Sequence, residues 1–172
     1  MSHLEDLLCE YLMWKRHLVL RNEKVGRLKH GGHAGELDIV AYSPQTNKIL
    51  HLEPSLDAHT WEKREERYKK KFAAGKTHIH ALFPWLKSKP AIRQIAIFVS
   101  AASDRTILAG GEIVTVDEVA SEIRTAVSAQ GKTSQGAIPE QFPLLRTIQL
   151  MDCGYYARKD TRRLSLVVPD DE

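Results

Sequence analysis

Two carboxylates lie in short apolar segments that a turn separates. Asp38 belongs to the segment GELDIVAY, and Glu53 belongs to KILHLEPS. Carboxylate oxygens suit hard divalent cations such as Mg²⁺ or Mn²⁺. A cation held beside a phosphate can activate water and stabilise the leaving oxygen. The pair therefore predicts a site for one divalent cation and the hydrolysis of a phosphodiester bond.

The alternation of side chains predicts how strands position the two acids. Residues 35–42 and 48–53 are interpreted as strands joined by the turn SPQTN into an antiparallel hairpin. Successive side chains of a strand point to opposite faces. The face that carries the acids then holds Glu36, Asp38, Val40, Tyr42, His51, Glu53 and Ser55. An antiparallel sheet with one solvated face would show the same alternation.

Hydrophobic periodicity and capping residues predict the other elements. Helices are expected over residues 2–16, 58–74 and 116–130, and strands over residues 17–21, 93–100 and 144–151. A basic, glycine-bearing loop is expected over residues 22–35. Ser2 with Glu5 forms a capping-box pattern at the first helix, and Gly75 is expected to end the second helix.

This order of elements predicts the fold class. A helix, three strands, a helix and a strand favour an α/β fold with a mixed central sheet of four or five strands flanked by helices. We expect residues 1–130 to form this core. Residues 131–172 are expected to be an extension that packs on the same domain and ends in a partly flexible tail, VVPDDE.

Composition narrows the classes of protein to consider. The chain has 172 residues, of which 42% are hydrophobic, and this suits one globular domain. Its net charge of +3 is compatible with binding to nucleic acid. No apolar run approaches the roughly 18 residues of a membrane span. Glu5 and Asp6 interrupt any signal-peptide pattern, so a cytoplasmic location is expected. Cys9 and Cys153 form neither a disulfide framework nor a metal-spaced cluster.

From Glu5 to Ser55 the chain resembles the PD-(D/E)XK nuclease superfamily, in particular its Holliday-junction-resolvase-like branch. The matching positions are Glu5, Arg21-Asn22, Gly35-Glu36-Leu37-Asp38 and Glu53-Pro54-Ser55. The resemblance implies a restriction-endonuclease-like core, DNA as substrate, and Asp38 and Glu53 as ligands of Mg²⁺ or Mn²⁺. It also implies that Glu5 orients water or metal. A junction-cutting role would suggest a homodimer, because two strands must be cut symmetrically.

Ser55 departs from the family pattern, which has a lysine at that position. In some members of the superfamily the lysine comes from the following helix instead. If Trp61, Tyr68 and Phe72 face inward, Arg64 and Lys71 lie on the flank of the predicted helix. Arg64 is the preferred substitute, because a guanidinium can clamp a phosphate with two hydrogen bonds. Lys71 is the other candidate.

Several roles stay open. Glu5 is preferred over Glu10 as the carboxylate from the first helix, and His51 is either a base, a third ligand or a half-buried strand residue. The basic residues expected to contact DNA phosphates are Lys24, Arg27, Lys29 and Lys71. Without the motif lysine, the alternative to a metal-dependent endonuclease is a catalytically inactive DNA-binding or accessory protein with a nuclease fold. A subunit that only binds other proteins is a third interpretation.

Overall fold

A six-stranded mixed sheet forms the centre of the computed structural model, which describes residues 2–102 and 104–155. Its strands are β1 (Leu18–Arg27), β2 (His33–Ser43), β3 (Lys48–Ser55), β4 (Ala91–Phe98), β5 (Ile107–Leu108) and β6 (Gly111–Thr115). Their order is β1-β2-β3-β4-β6-β5. β1, β2 and β3 are antiparallel neighbours, β3, β4 and β6 run parallel, and β5 is antiparallel to β6. The predicted α/β class and mixed sheet are confirmed, but the four or five expected strands were too few.

The helices of the described residues are α1 (His3–Trp14), α2 (Trp61–His78), α3 (Val116–Ser128), α4 (Thr133–Gly136) and α5 (Pro143–Asp152). A short 3₁₀ helix, Ile79–Leu82, follows α2 directly. No helix in the described part of the chain is long and apolar enough to cross a membrane. The predicted flexible tail falls within residues 156–172, outside the described residues.

The strand predicted over residues 144–151 is wrong, because this segment is helix α5. Leu145 and Gln149 are buried four residues apart, which is helical spacing, and Pro143 occupies the first turn. A short apolar run such as LLRTIQLM satisfies both the strand and the helix pattern. Packing against α1 and α3 decides between them, because Leu145 joins the cluster that contains Ile123 and Val127.

The sheet is covered on both faces. On one face, Leu8 and Leu12 of α1 pack with Ile39 of β2, and α3 packs beside them through Val116 and Val119. On the other face, Tyr68 and Phe72 of α2 pack with Phe98 of β4. The face that carries Asp38 and Glu53 is therefore covered by α2 and is not a solvated sheet face.

The expected loop over residues 22–35 is largely a hairpin. β1 and β2 stay paired as far as Arg27 and His33, and a tight turn connects them. Gly31 and Gly32 have φ of 91° and 81° in this turn, a backbone conformation that favours glycine. The pairing of β2 with β3 covers only Ile39 to Ser43 on β2, so the end of the hairpin extends past β3.

Alternation along β2 breaks beside Asp38. Leu37 is buried in the same cluster as Val40, whereas strict alternation predicts opposite faces. The break coincides with Asn22 on β1, whose φ is 52°. Asn22 lies between the cross-strand pairs Arg21–Ile39 and Glu23–Leu37. A left-handed residue changes the local twist of a strand, and Leu37 consequently turns toward the α2 side.

Gly75 was expected to end α2, but the helix continues to His78. Gly75 is buried against β3 and β4. A Cβ atom at this position would lie 2.5 Å from Nδ1 of His51 and 3.0 Å from Nε2 of Gln94. Contacts this short are not tolerated without movement, so the glycine allows α2 to approach the sheet closely.

We expect Gly75→Ala to destabilise the protein, although alanine is the better helix former. The clash with His51 should cost about 1–3 kcal/mol, against a propensity gain of about 1 kcal/mol. Urea unfolding measures the change. Ala73→Gly, at an exposed position of the same helix, provides the matched control and should lose about 1 kcal/mol from propensity alone. A more stable Gly75→Ala protein would contradict the close approach of α2.

Candidate carboxylate site

Asp38, Glu53 and Lys71 meet between the sheet and α2. Nζ of Lys71 donates to Oδ1 and Oδ2 of Asp38 at 2.9 and 2.8 Å. The same nitrogen donates to Oε2 of Glu53. Because both carboxylates contact one nitrogen atom, they lie close enough to share one cation. We refer to these three residues as the carboxylate–lysine cluster.

Strand register brings the two acids together. Ile39 pairs with Leu52 in the antiparallel β2–β3 ladder, which places Asp38 beside Glu53. The backbone N–H of Asp38 donates to Oε1 of Glu53 at 3.3 Å. Residues 15 positions apart in the chain thus become neighbours through the hairpin that the sequence predicts.

Helix α2 brings Lys71 to the acids. The Tyr68 hydroxyl donates to the backbone oxygen of Glu53 at 2.9 Å and attaches the helix to β3. Phe72 is buried one position after Lys71 and packs edge-on against Tyr68. With these two aromatic residues inward, Lys71 lies at the margin of the helix–sheet interface. Its side chain keeps 20% of its surface exposed, so it borders both the acids and the solvent.

Glu53 is fully buried, and its two oxygens have different partners. Oε1 contacts Nε2 of His51 at 2.8 Å and also accepts the Asp38 backbone N–H. Oε2 accepts from Lys71. His51 is itself fully buried, and its Nδ1 lies 3.0 Å from Nε2 of Gln94. Both ring nitrogens of His51 are therefore engaged away from the position of the ammonium, which argues against a solvent-facing base or a third cation ligand.

Burial and charge separate the pKa values of the two acids. Burial raises the pKa of Asp38 to about 7, and the neighbouring Glu53 adds to this rise while Lys71 opposes it. Burial would also raise the pKa of Glu53. However, hydrogen bonds from His51 and Asp38, together with the charge of Lys71, lower the pKa of Glu53 to about 2. A proton entering the pair therefore binds to Asp38, and Glu53 stays ionised.

The oxygen atoms around Nζ of Lys71 fit a hard cation. They come from two carboxylates and already surround one positive charge. Among the described residues, no group of three or more His, Cys, Asp or Glu side chains is placed to hold a metal ion. A cation at this position would take its remaining ligands from water or backbone oxygens, as Mg²⁺ commonly does. Asp38 and Glu53 are the residues that would hold it.

Arg64 was the preferred substitute for the motif lysine in the sequence analysis, but its side chain is directed away from the two acids. Its Nη2 donates to the backbone oxygen of Asp57 at 2.6 Å. The guanidinium also lies 4.4 Å from the ring centre of Phe98 and 4.8 Å from that of Trp61. The structure thus places Lys71, and not Arg64, against the two acids. Asp57 also accepts the Ser55 hydroxyl, so the serine at the motif position is engaged as well.

Three of the basic residues expected to contact DNA are exposed on the hairpin. Lys24 and Arg27 lie on β1, and Lys29 lies in the turn that follows. This end of the hairpin projects past β3, on the side where β2 carries Asp38. Lys71, the fourth predicted contact, belongs to the carboxylate–lysine cluster.

The two glutamates of α1 have other partners. The backbone N–H of Glu5 donates to Oγ of Ser2 at 3.3 Å, and Oγ of Ser2 lies 3.0 Å from Oε1 of Glu5. Glu10 accepts from the backbone N–H groups of Leu144 and Leu145 at 2.9 and 3.2 Å and so caps α5. α1 packs on the face opposite α2. The structure therefore does not bring Glu5 into the carboxylate–lysine cluster.

Two residues that shape the site, Gln94 and Gly75, were not predicted from the sequence. Gln94 is a buried polar residue directly before the apolar residues 95–98 of the same strand, and this contrast was a usable signal. Gly75 lies inside a helix, where glycine is unfavourable unless close packing requires it.

Comparison with family models and with curated proteins found no match to this chain.

The raised pKa of Asp38 predicts a distinct pH dependence of stability. An unfolded aspartate has a pKa of about 3.9, so the folded state holds the proton more tightly. This contribution is complete below about pH 4 and is lost as the pH rises through about 7. The contribution of Glu53 is nearly constant above about pH 5, because its lowered pKa reduces stability only as the pH falls below the ordinary glutamate value of about 4.3 and on toward 2.

Urea unfolding in metal-free buffer tests this sign. The free energy of unfolding of the wild type, minus that of Asp38→Asn, should decrease between about pH 5 and pH 8. Asp104→Asn changes an exposed aspartate and controls for the histidines that titrate in the same range. A difference that increases with pH would show that Asp38 is instead stabilised as the anion.

The cap of α5 is testable in the same way. Glu10→Ala should lower the free energy of unfolding by about 1 kcal/mol, since two backbone N–H groups lose their acceptor. Glu10→Gln retains an uncharged acceptor and should lose less. Glu140→Ala removes an exposed glutamate close to α5 and serves as the control. Equal stabilities of the Glu10→Ala and Glu140→Ala proteins would argue against the cap.

Proposed function

We propose that the protein is a metal-dependent DNA endonuclease that hydrolyses phosphodiester bonds at the carboxylate–lysine cluster. The observation that supports this proposal is the contact of Lys71 with both acids. Lys71 would supply, from α2, the positive charge that Ser55 lacks at the motif position. The order α1, β1, β2, β3, α2, β4 agrees with the core that the resemblance to PD-(D/E)XK nucleases implies.

Each residue of the cluster has a role that follows from its surroundings. Glu53 remains ionised because its pKa is low, and it presents Oε2 to the cation position. Asp38 presents two oxygens at the same position and must lose its proton to bind a divalent cation well. Bound Mg²⁺ or Mn²⁺ would supply the Lewis acid and the activated water of the reaction.

Lys71 would exchange partners on substrate binding. In the structure its ammonium pairs with both acids, and its flexible side chain reaches the solvent boundary. If Asp38 and Glu53 held a divalent cation in place of the ammonium, Nζ of Lys71 could instead donate to a non-bridging phosphate oxygen. There it would stabilise the negative charge that develops on the phosphate.

The hairpin provides a route for DNA toward these residues. Lys24, Arg27 and Lys29 are exposed beside the projecting turn and suit phosphate oxygens. Contacts of this kind position a duplex without reading its sequence. We therefore expect binding that weakens steeply as the salt concentration increases.

A second function is a DNA-binding protein with a nuclease fold and no catalysis. One observation favours it: Lys71 already forms ion pairs with both acids without a divalent cation. A cluster of ion pairs held in this way can serve a structural purpose alone. The basic hairpin would then carry the function.

Cleavage assays with matched variants distinguish the two functions. Wild-type protein in Mg²⁺ or Mn²⁺ should cut branched, single-stranded or duplex DNA. Asp38→Asn and Lys71→Met should each lower the rate by about 10²-fold or more, as for other charge-stabilising groups. Lys70→Met is the matched control, because Lys70 is adjacent on α2, 77% exposed and paired only with Glu66 among the described residues.

The pattern across these variants decides the outcome. Cleavage that survives Lys70→Met but not Lys71→Met supports the endonuclease. Shifted bands without cleavage, in both the wild type and Asp38→Asn, would support the DNA-binding function instead. Cleavage that persists in Asp38→Asn would place the activity outside this cluster.

A further inference from the structure

We infer that His51 and Gln94 are positioning residues that orient the Glu53 carboxylate, so that only Oε2 faces the cation position. This inference rests on the proposed function, since it concerns the same cation site. It gives a role to two buried polar residues that the proposed reaction does not otherwise use. Neither residue would touch the substrate.

The direction of the hydrogen bonds follows from Gln94. Its Nε2 donates to the backbone oxygen of Phe72 at 2.9 Å, which fixes the orientation of the amide. The same Nε2 lies 3.0 Å from Nδ1 of His51, so Nδ1 accepts. A neutral imidazole carries its proton on the other nitrogen. Nε2 of His51 therefore donates to Oε1 of Glu53 at 2.8 Å.

The residues around His51 leave space for an imidazole ring and contact both of its nitrogen atoms. His51 pairs with Gln94 in the β3–β4 ladder, which places the two side chains side by side. Gly75 leaves the space that the ring needs, because a Cβ would lie 2.6 Å from Cε1 of His51. Phe72 packs edge-on against the ring with centroids 5.6 Å apart. An apolar side chain would fill this position in a strand without requiring a polar partner.

These contacts restrict the rotation of the Glu53 carboxylate. Oε1 has two donors, the His51 ring and the Asp38 backbone N–H. Turning the carboxylate would break both hydrogen bonds, so Oε2 stays directed at the cation position. Residues that orient a metal ligand in this way commonly change metal affinity by about 10–100-fold when they are replaced.

Mn²⁺ titration of the full-length protein by calorimetry, without DNA, tests the inference. His51→Leu removes the donor to Glu53, and we expect about 10–100-fold weaker Mn²⁺ binding. His51→Gln places an amide N–H near the position of Nε2, and it should restore most of the affinity. Ile49→Ala, at a buried position of the same strand, is the control for lost packing. It should weaken folding but leave Mn²⁺ affinity close to that of the wild type.

A second measurement does not depend on metal or on variants. Nitrogen-15 NMR of the wild-type histidines should show His51 protonated at Nε2 and unprotonated at Nδ1. The opposite tautomer would overturn the inference. So would unchanged Mn²⁺ affinity in a folded His51→Leu protein, or an equal loss of affinity in Ile49→Ala.

Failure of the inference is separable from failure of the proposed function. If the wild type binds Mn²⁺ but cuts no DNA, the endonuclease proposal fails, and the His51 variants still decide the positioning role. If the wild type cuts DNA and His51→Leu binds Mn²⁺ normally, only the positioning role fails. If the wild type binds no Mn²⁺, both are overturned.

Discussion

Burial of the ionised Glu53 carboxylate is the constraint on which the centre of this structure depends. A charge without solvent must be compensated by hydrogen bonds and by an opposite charge. Glu53 obtains these from three separate elements: His51 on its own strand, the Asp38 backbone on β2 and Lys71 on α2. The relative positions of β2, β3 and α2 are therefore coupled to one side chain.

The close contact between α2 and the sheet makes this compensation possible. Gly75 allows the helix to approach, and the Tyr68 hydroxyl holds it to the backbone of Glu53. Phe72 fills the space between helix and strands. With the helix held in this way, Lys71 reaches the acids from the margin of the interface. The same packing makes Asp38 hard to ionise, and its raised pKa links the state of the cluster to pH.

Local pattern was sufficient where the relevant residues are close in sequence. Alternation and the short turn after β2 predicted the hairpin, and its register makes Asp38 and Glu53 neighbours. Pattern was insufficient wherever distant contacts decide. Leu37 departs from alternation because Asn22, on another strand, has left-handed backbone geometry. The segment 144–151 is a helix because α1 and α3 offer it an apolar surface.

By itself the sequence determined the α/β order and the two acids on adjacent strands, because periodicity and turn length act over a few residues. The tertiary structure decided which cation meets these acids. Arg64 and Lys71 are equivalent on a helical projection, but Asp57 and two aromatic rings hold Arg64, whereas Lys71 extends over the acids. It also decided that Glu10 caps α5 and that His51 is enclosed beside Glu53. These outcomes depend on how a helix docks onto a sheet, and no local periodicity encodes that geometry.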